Sequence, residues 1–322
     1  MGEFELIRRF FQQEQAEHPP EGVFMGVGDD AALLEVPPYQ QLAVSVDTLV
    51  SGVHFPADAD AEDIAQRALR VNLSDLAAMG AQPLWFTLAL TLPNVDESWL
   101  RDFSRGLFAV ANQYGCALVG GDTTSGPLSI TVQVMGVVEA GHALRRDGAS
   151  VGDYILVTHH LGDGAAGLAA VEGRLKLDAE QDEYLRQRFY RPEPRVAEAR
   201  KIRDLASAAL DISDGLVADL GHICAASDLG AEVYVEDLPL SPVLAGLEDR
   251  DQALNWALSG GDDYELCFTV PEEHMAEVGL LIAQGELQAT VIGHMVAGAS
   301  VQCLHHGQTF ELDQPGYNHF HD

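Results

Sequence analysis

Between residues 139 and 153 the sequence reads EAGHALRRDGASVGD, and the apolar periodicity of both flanks gives way there to glycine and charge. Such a stretch marks a boundary between packed units. A chain of 322 residues is also longer than one hydrophobic core comfortably serves. Two domains are therefore expected, over residues 1–140 and 150–322.

Each flank alternates strand-like and helix-like segments, which predicts an α/β (α+β) fold. In the first, Phe4, Leu6, Ile7, Phe10 and Phe11 recur at near-helical spacing within residues 3–16, and HPPEG at 18–22 ends that helix. QLAVSVDTLV reads as a strand with Asp47 near its end, and DADAEDIAQRALRVNLSDLAAMGA as an amphipathic helix with Ile64, Leu69, Leu73 and Leu76 inward. LWFTLALTL is a strand, 97–114 a helix, CALVGGD a short strand entering a glycine turn, and LSITVQVMGVVE a long strand. The second flank has strands at YILVTHH, AALDI, AEVYV, YELCFTV and QATVIGHMV, a glycine turn at LGDGAAGL, and helices near 163–172 and 193–208. Ser74-Asp75 before Gly120-Gly121-Asp122 is echoed by Ser213-Asp214 before Gly260-Gly261-Asp262. Helix starts and turns favour these dipeptides everywhere, so chance accounts for the echo.

Charge narrows the function. Against 50 acidic residues stand 18 Lys and Arg, a formal charge of −32 that repels nucleic acid. Neither lysine, Lys176 or Lys201, follows a glycine-rich run, so a phosphate-binding loop of the G-x-x-x-x-G-K type is absent. Cys116, Cys224, Cys267 and Cys303 are scattered and read as reduced, buried thiols. The charged N-terminus and the lack of an apolar run approaching about 18 residues point to a cytoplasmic protein that does not enter membranes.

Asp29, Asp30, Asp47, Asp75, Asp122, Asp211, Asp214, Asp262 and Asp263 stand at the mouths of predicted elements. Any one alone reads as a cap or turn residue. As a set they read differently, because Asp30, Asp47, Asp75 and Asp122 each lie at a predicted strand end or a turn beside one, where α/β proteins build ligand sites. Carboxylates converging there repel one another unless cations intervene, and oxygen ligands without cysteine favour Mg²⁺. Mg²⁺ bridges carboxylates to phosphates, so an acidic protein can hold ATP, with Arg105, Arg145 and Arg146 as candidate phosphate partners. His54 in SGVHF is placed to reach a substrate phosphate. His159, His160, His305, His306, His319, His321 and the GDG at 162–164 read as surface or structural residues.

The segments GVGDDAALL, SVDTLVSGVHF, RVNLSDLAAMGAQP, VGGDTTSG, LRRDGASVGDYILVT, LDISDGLVADLGHI, SGGDDYELCFTVP and GYNHF occur in that order between residues 26 and 320, within a resemblance that spans about residues 3–320. Together they resemble the thiamine-monophosphate kinase family, in the superfamily of aminoimidazole ribonucleotide synthetase and selenophosphate synthetase. The resemblance implies an N-terminal α/β domain whose mixed sheet forms a homodimer, and a C-terminal ferredoxin-like α/β domain. It implies transfer of the ATP γ-phosphoryl to thiamine monophosphate with several Mg²⁺ ions, giving thiamine diphosphate. By motif, Asp30, Ser45, Val46 through its backbone, Asp47, Asp75, Asp122, Asp211 and Asp214 would surround the metals, with Asp30, Asp75, Asp122 and Asp211 central to catalysis. Arg105, Gly121, Asp122, Arg146 and Ser213 would face ATP, and His54, Asp262 and Tyr317 the thiamine compound. Asp29 is assigned instead to bracing the turn. The chain departs from the family at Asp262-Asp263, where Glu-Asp is usual, and at Ser51, where an acid is frequent. Another ATP-dependent enzyme of the superfamily, or a non-catalytic Mg²⁺ or nucleotide binder, is the alternative reading.

Overall fold

The computed structural model describes residues 2–12, 20–312, 314 and 316–317. The chain divides into two compact units, Met1–Leu76 with Ala81–Gly141, and Ala77–Gly80 with His142–Asp322.

The first unit opens with helix α1 (Glu3–Leu6), which runs into a π-helical turn at Ile7–Phe11. Leu6, Phe10 and Phe11 are buried, and Phe11 meets the edge of Phe103. The rest of the helix expected to residue 16, and His18-Pro19, lie outside the described residues. Strands β1 (Val23–Met25) and β2 (Leu33–Leu34) then form a small antiparallel hairpin. There follow β3 (Gln40–Val50), α2 (Ala61–Ala78), β4 (Gln82–Leu92), α3 (Glu97–Tyr114), β5 (Ala117–Ser125) and β6 (Ser129–Glu139). The four long strands form one mixed sheet in the order β3-β6-β4-β5, with only β4 and β5 parallel.

Apolar spacing explains the helices here. Ile64, Leu69, Leu73 and Leu76 of α2 and Leu100, Phe103, Leu107 and Val110 of α3 are all buried. Asp96 caps α3 by accepting the N–H groups of Ser98 and Trp99, and Gly115 ends it in the left-handed conformation at φ 66°.

β3 ends at Val50 as the QLAVSVDTLV segment predicts, with Asp47 three residues before that end. One expectation is corrected. The CALVGGD segment does not turn at its glycines: β5 runs on to Ser125 because parallel pairing with β4 supplies partners that far. Gly121 permits this, having φ 152° and a backbone so close to β4 that a Cβ would lie 1.9 Å from the Leu88 carbonyl oxygen.

The second unit comprises β7 (Tyr154–Thr158), α4 (Asp163–Val171), α5 (Ala179–Tyr190), α6 (Val196–Ile202), β8 (Ala208–Asp211), α7 (Leu216–Ser227), β9 (Gly230–Tyr234), α8 (Pro242–Ala245), α9 (Arg250–Ser259), β10 (Leu266–Val270), α10 (Glu272–Ala283), β11 (Ala289–Val296), β12 (Val301–His305) and β13 (Gln308–Thr309). The strands form a sheet ordered β13-β12-β9-β11-β7-β10-β8, antiparallel except between β9 and β12. Successive side chains enter different cores. Ile155, Val157, Leu210 and Cys267 join α7 and α9 on one face, while Leu156, Ala209 and Phe268 join α6 and α10 on the other. Burial on both faces is why these strands read as nearly continuous apolar runs. All four cysteines are buried and in no disulfide.

One buried ionic cluster ties this unit together. The fully buried Glu265 accepts two bonds from Arg195, at 2.6 Å each, one from Arg188 at 2.8 Å and one from the Thr158 hydroxyl at 2.6 Å. Burial opposes its ionisation, but the guanidinium groups win and hold its pKa below the ordinary carboxylate value. Asp263 has no such cation at bonding distance. It accepts the N–H groups of Gly162 and Gly164 at the start of α4, at 2.8 and 3.0 Å, and burial pushes its carboxyl up to about 8 against those bonds.

Removing one partner from a buried ion cluster strands the others. Glu265→Gln should therefore lower the unfolding free energy of the second unit by about 3–5 kcal/mol, read from urea denaturation followed by circular dichroism. For Asp263 the sign is opposite to that of a paired carboxylate. The folded state keeps its proton up to about pH 8, whereas the unfolded chain sheds it near pH 4 (~3.9), so this group's contribution falls as pH rises through that window. Between pH 5 and 8, stability should decline more steeply in the wild type than in Asp263→Asn; parallel profiles would contradict it.

Candidate active site

In the first unit the GVGDDAALL turn joins β1 to β2. Its tight path uses Gly28 at φ 129°, and the side chain of Asp29 accepts the N–H of Asp30 at 2.8 Å. The turn forms one wall of a cavity of about 840 Å³, whose other walls are the segment around Arg8 and Phe11 and the Gly120-Gly121-Asp122 stretch of β5. Asp30, Gly121 and Asp122, distant in sequence, thus line one space.

A second arrangement joins β3 to α2. The Ser45 hydroxyl donates to Asp75 Oδ2 at 2.6 Å, and the N–H of Asp47 donates to Asn72 Oδ1 at 2.9 Å. Asn72 is fully buried, and its amide donates to the Ala68 carbonyl at 2.8 Å. Helical spacing puts Asn72 and Asp75 on one face of α2, and strand alternation puts Ser45 and Asp47 on one face of β3. Asp75 is therefore no helix cap: it sits in the last turn of α2, facing the strand.

The oxygens present could serve Mg²⁺. The carboxylates of Asp30 and Asp122 in the cavity, and that of Asp75 with the Ser45 hydroxyl, offer hard oxygens, and Asp47 and Asp122 are exposed to solvent. Among the described residues no three His, Cys, Asp or Glu side chains are grouped so that they could hold a metal ion by themselves. Mg²⁺ retains waters and shares its shell with substrate phosphates, so one or two carboxylates can hold it.

His54 follows β3 in a short turn. Its Nδ1 accepts the Val50 N–H at 3.0 Å, so the neutral ring carries its proton on Nε2. Arg105 stands on the exposed face of α3, bonded to Glu62 at 2.5 Å and Asp102 at 2.6 Å, and does not line the cavity.

In the second unit β8 ends at the buried Asp211, and the chain turns through Ser213-Asp214-Gly215 into α7. Asp219, in the first turn of α7, accepts all three N–H groups of that turn through one oxygen, at 3.0, 3.0 and 3.1 Å. Burial pushes the Asp219 carboxyl up to about 6, although these bonds pull the other way. The carbonyls of the turn are engaged too: Ser213 accepts the N–H of Asp262 at 2.8 Å, and Asp214 that of Tyr317 at 2.9 Å. Ser213, Asp214, Asp262 and Tyr317 are thereby assembled through their backbones. The side chain of Asp262 accepts from the Tyr264 hydroxyl at 3.1 Å. Arg146 is exposed, its carbonyl accepting from Ser227, while its neighbour Arg145 is paired with Asp147. His319 and His321 lie outside the described residues.

The two Ser-Asp and Gly-Gly-Asp pairs have different structures: Ser74-Asp75 closes a helix where Ser213-Asp214 precedes one, and Gly121-Asp122 is strand where Gly261-Asp262 is a left-handed turn. Asn72 and Asp219 are not among the expected site residues. Each carries a usable signal, a polar side chain inside an apolar helical run, as in RVNLSDL and GLVADLGHI.

The first unit matches the profile for AIR synthase related protein, N-terminal domain, at residues 28–138, and the second the corresponding C-terminal domain profile at 150–305. The chain is 50% identical over 321 residues to thiamine-monophosphate kinase of Escherichia coli K12, covering 99% of this chain and 98% of that one. It is similar to the crystal structure of thiamine-monophosphate kinase from Stenotrophomonas maltophilia K279a, at 47% identity and a TM-score of 0.84, over 90% of this chain and 93% of that one. It is also similar to AaThiL complexed with AMPPCP and TMP, at 33% identity and a TM-score of 0.78, over 91% and 92% of the two chains. By this agreement along nearly its full length, the chain belongs to the thiamine-monophosphate kinase family of AIR synthase related proteins.

Proposed function

We propose that this protein transfers the γ-phosphoryl group of ATP to the phosphate of thiamine monophosphate, releasing ADP and thiamine diphosphate. The observation that carries this reading is the match along nearly the whole chain to a relative that binds an ATP analogue together with TMP. In the reaction an oxygen of the acceptor phosphate forms a bond to the γ-phosphorus as the bond to the β–γ bridging oxygen breaks. A phosphate monoester oxygen is already a nucleophile, so the protein needs to supply alignment and charge neutralisation rather than a strong base.

Mg²⁺ when bound would neutralise the phosphates and reverse the sign of an acidic site. The residues proposed to hold it are Asp30, Ser45, the Val46 backbone, Asp47, Asp75 and Asp122 of the first unit, and Asp211 and Asp214 of the second. Gly121, Asp122, Arg146 and Ser213 are proposed to meet ATP, with Arg105 as a further partner once released from Glu62 and Asp102. His54 donates from Nε2 to a phosphate oxygen, and Asp262 and Tyr317 attract the cationic thiazolium.

A homodimer belongs to the same proposal. β3 is a sheet edge, and Leu42, Val44 and Val46 on it are 46%, 49% and 55% exposed. An apolar edge of this kind invites pairing unless it is covered, and a second copy would cover it. A cytoplasmic location fits a consumer of ATP whose cysteines are unpaired. No helix among the described residues is long and apolar enough to cross a membrane.

Incubating the protein with ATP, Mg²⁺ and thiamine monophosphate should yield ADP and thiamine diphosphate in equal amounts by chromatography; ADP alone, or no turnover, would overturn the reading. In the same assay Asp75→Asn should lower turnover by about 10²-fold or more with a nearly unchanged melting temperature. Sedimentation equilibrium should return twice the chain mass.

A further inference from the structure

We infer that Asp219 is a positioning residue that sets the nucleotide side of the active site in register with the acceptor side. The inference rests on the kinase reading above and names a residue to which that reading gives no role.

The Ser213-Asp214-Gly215 turn is held on both sides of its backbone. Its three N–H groups converge on one oxygen of Asp219, and its first two carbonyls accept from Asp262 and Tyr317. On one side it presents Ser213 and Asp214, proposed for ATP and metal; on the other it anchors Asp262 and Tyr317, proposed for thiamine monophosphate. Shifting the turn shifts both sets together. The approach is close enough to leave little slack: a Cβ on Gly261 would stand 2.7 Å from the Ser213 carbonyl oxygen, and one on Gly316 2.8 Å from that of Asp214.

Three parallel N–H groups aimed at one point form a small anion-binding concavity. In this turn the anion is the chain's own carboxylate, buried at 5% exposure. Occupied by Asp219, the concavity is denied to a phosphate, and the turn is fixed before substrate arrives. Phosphoryl transfer gains most from such fixing, because its catalysis consists largely of alignment.

The test compares Asp219→Asn and Asp219→Ala with wild type in the full-length chain, measuring kcat, KM for ATP, KM for thiamine monophosphate and thermal unfolding. An asparagine oxygen can still accept the N–H groups but without charge, so Asp219→Asn should lose about tenfold in kcat/KM and Asp219→Ala about a hundredfold. Both KM values should rise together, whereas Asp262→Ala should raise only that of the acceptor. If Asp219→Ala does not fold, Asp219→Asn decides. A lower melting temperature with wild-type kinetics well below it, or a change in one KM alone, would overturn the inference. An inactive wild type would instead sink the kinase reading.

Discussion

The buried Glu265 carboxylate is the constraint on which the arrangement of the second unit depends. It is locked by two arginines and a threonine hydroxyl, and so fixes where β10 begins relative to β7, α5 and the start of α6. The residues immediately before it follow an unusual path, with Gly261, Asp262 and Tyr264 all at positive φ. Left-handed non-glycine residues cost on the order of 1–3 kcal/mol each and persist only where their surroundings over-determine them. Glu265 anchors one end of that path, and backbone bonds to Ile212 and Ser213 anchor its middle. Asp262 is held in its left-handed conformation between a buried ionic cluster and these backbone bonds.

Each unit solves the same electrostatic problem in a different way. A protein of charge −32 must hold polyanionic substrates. Its first unit ties its acids to neutral partners: the Ser45 hydroxyl donates to the Asp75 carboxylate, and the Asn72 side-chain oxygen accepts the backbone N–H of Asp47. These partners are uncharged and fix β3 against α2. In the second unit the one carboxylate that bonds three backbone N–H groups, Asp219, uses its acceptor capacity on the chain itself. The acids are therefore of two kinds, those whose carboxylates accept from side chains and those that bond the backbone and so place their neighbours.

Much of the fold was legible because apolar spacing survives in sequence. The limits of α3 at Glu97 and Tyr114 follow from its buried stripe, and the long strands from their β-branched runs. The helices that escaped reading did so for opposite physical reasons. In α7, LVADLGHICAAS, the buried stripe of Leu216, Leu220, Ile223 and Cys224 is masked because Val217, Ala218, Ala225 and Ala226 outside it are apolar too, while α5, AEQDEYLRQRFY, is polar nearly all round with only Leu185 and Phe189 buried. Neither stripe stands out in the sequence, so periodicity alone could not place them. The glycines of β5 misled for a related reason, since close backbone approach between strands and a turn both call for glycine.

What the sequence determined by itself was the inventory: the acids, their order, the neutral residues beside them, and a family pattern legible without coordinates. It also determined that no lysine-bearing phosphate loop exists, since that depends on adjacent residues. Only the tertiary structure decided which oxygen serves which partner. Asp75 meets a serine thirty residues earlier in the chain, Asn72 a backbone N–H twenty-five residues earlier, and Asp219 the turn it follows, leaving Asp211 at the strand end before it. The longer pairings are set by strand register and by the seating of helices on sheets. Those are properties of packing between distant segments, which local patterns of residues do not record.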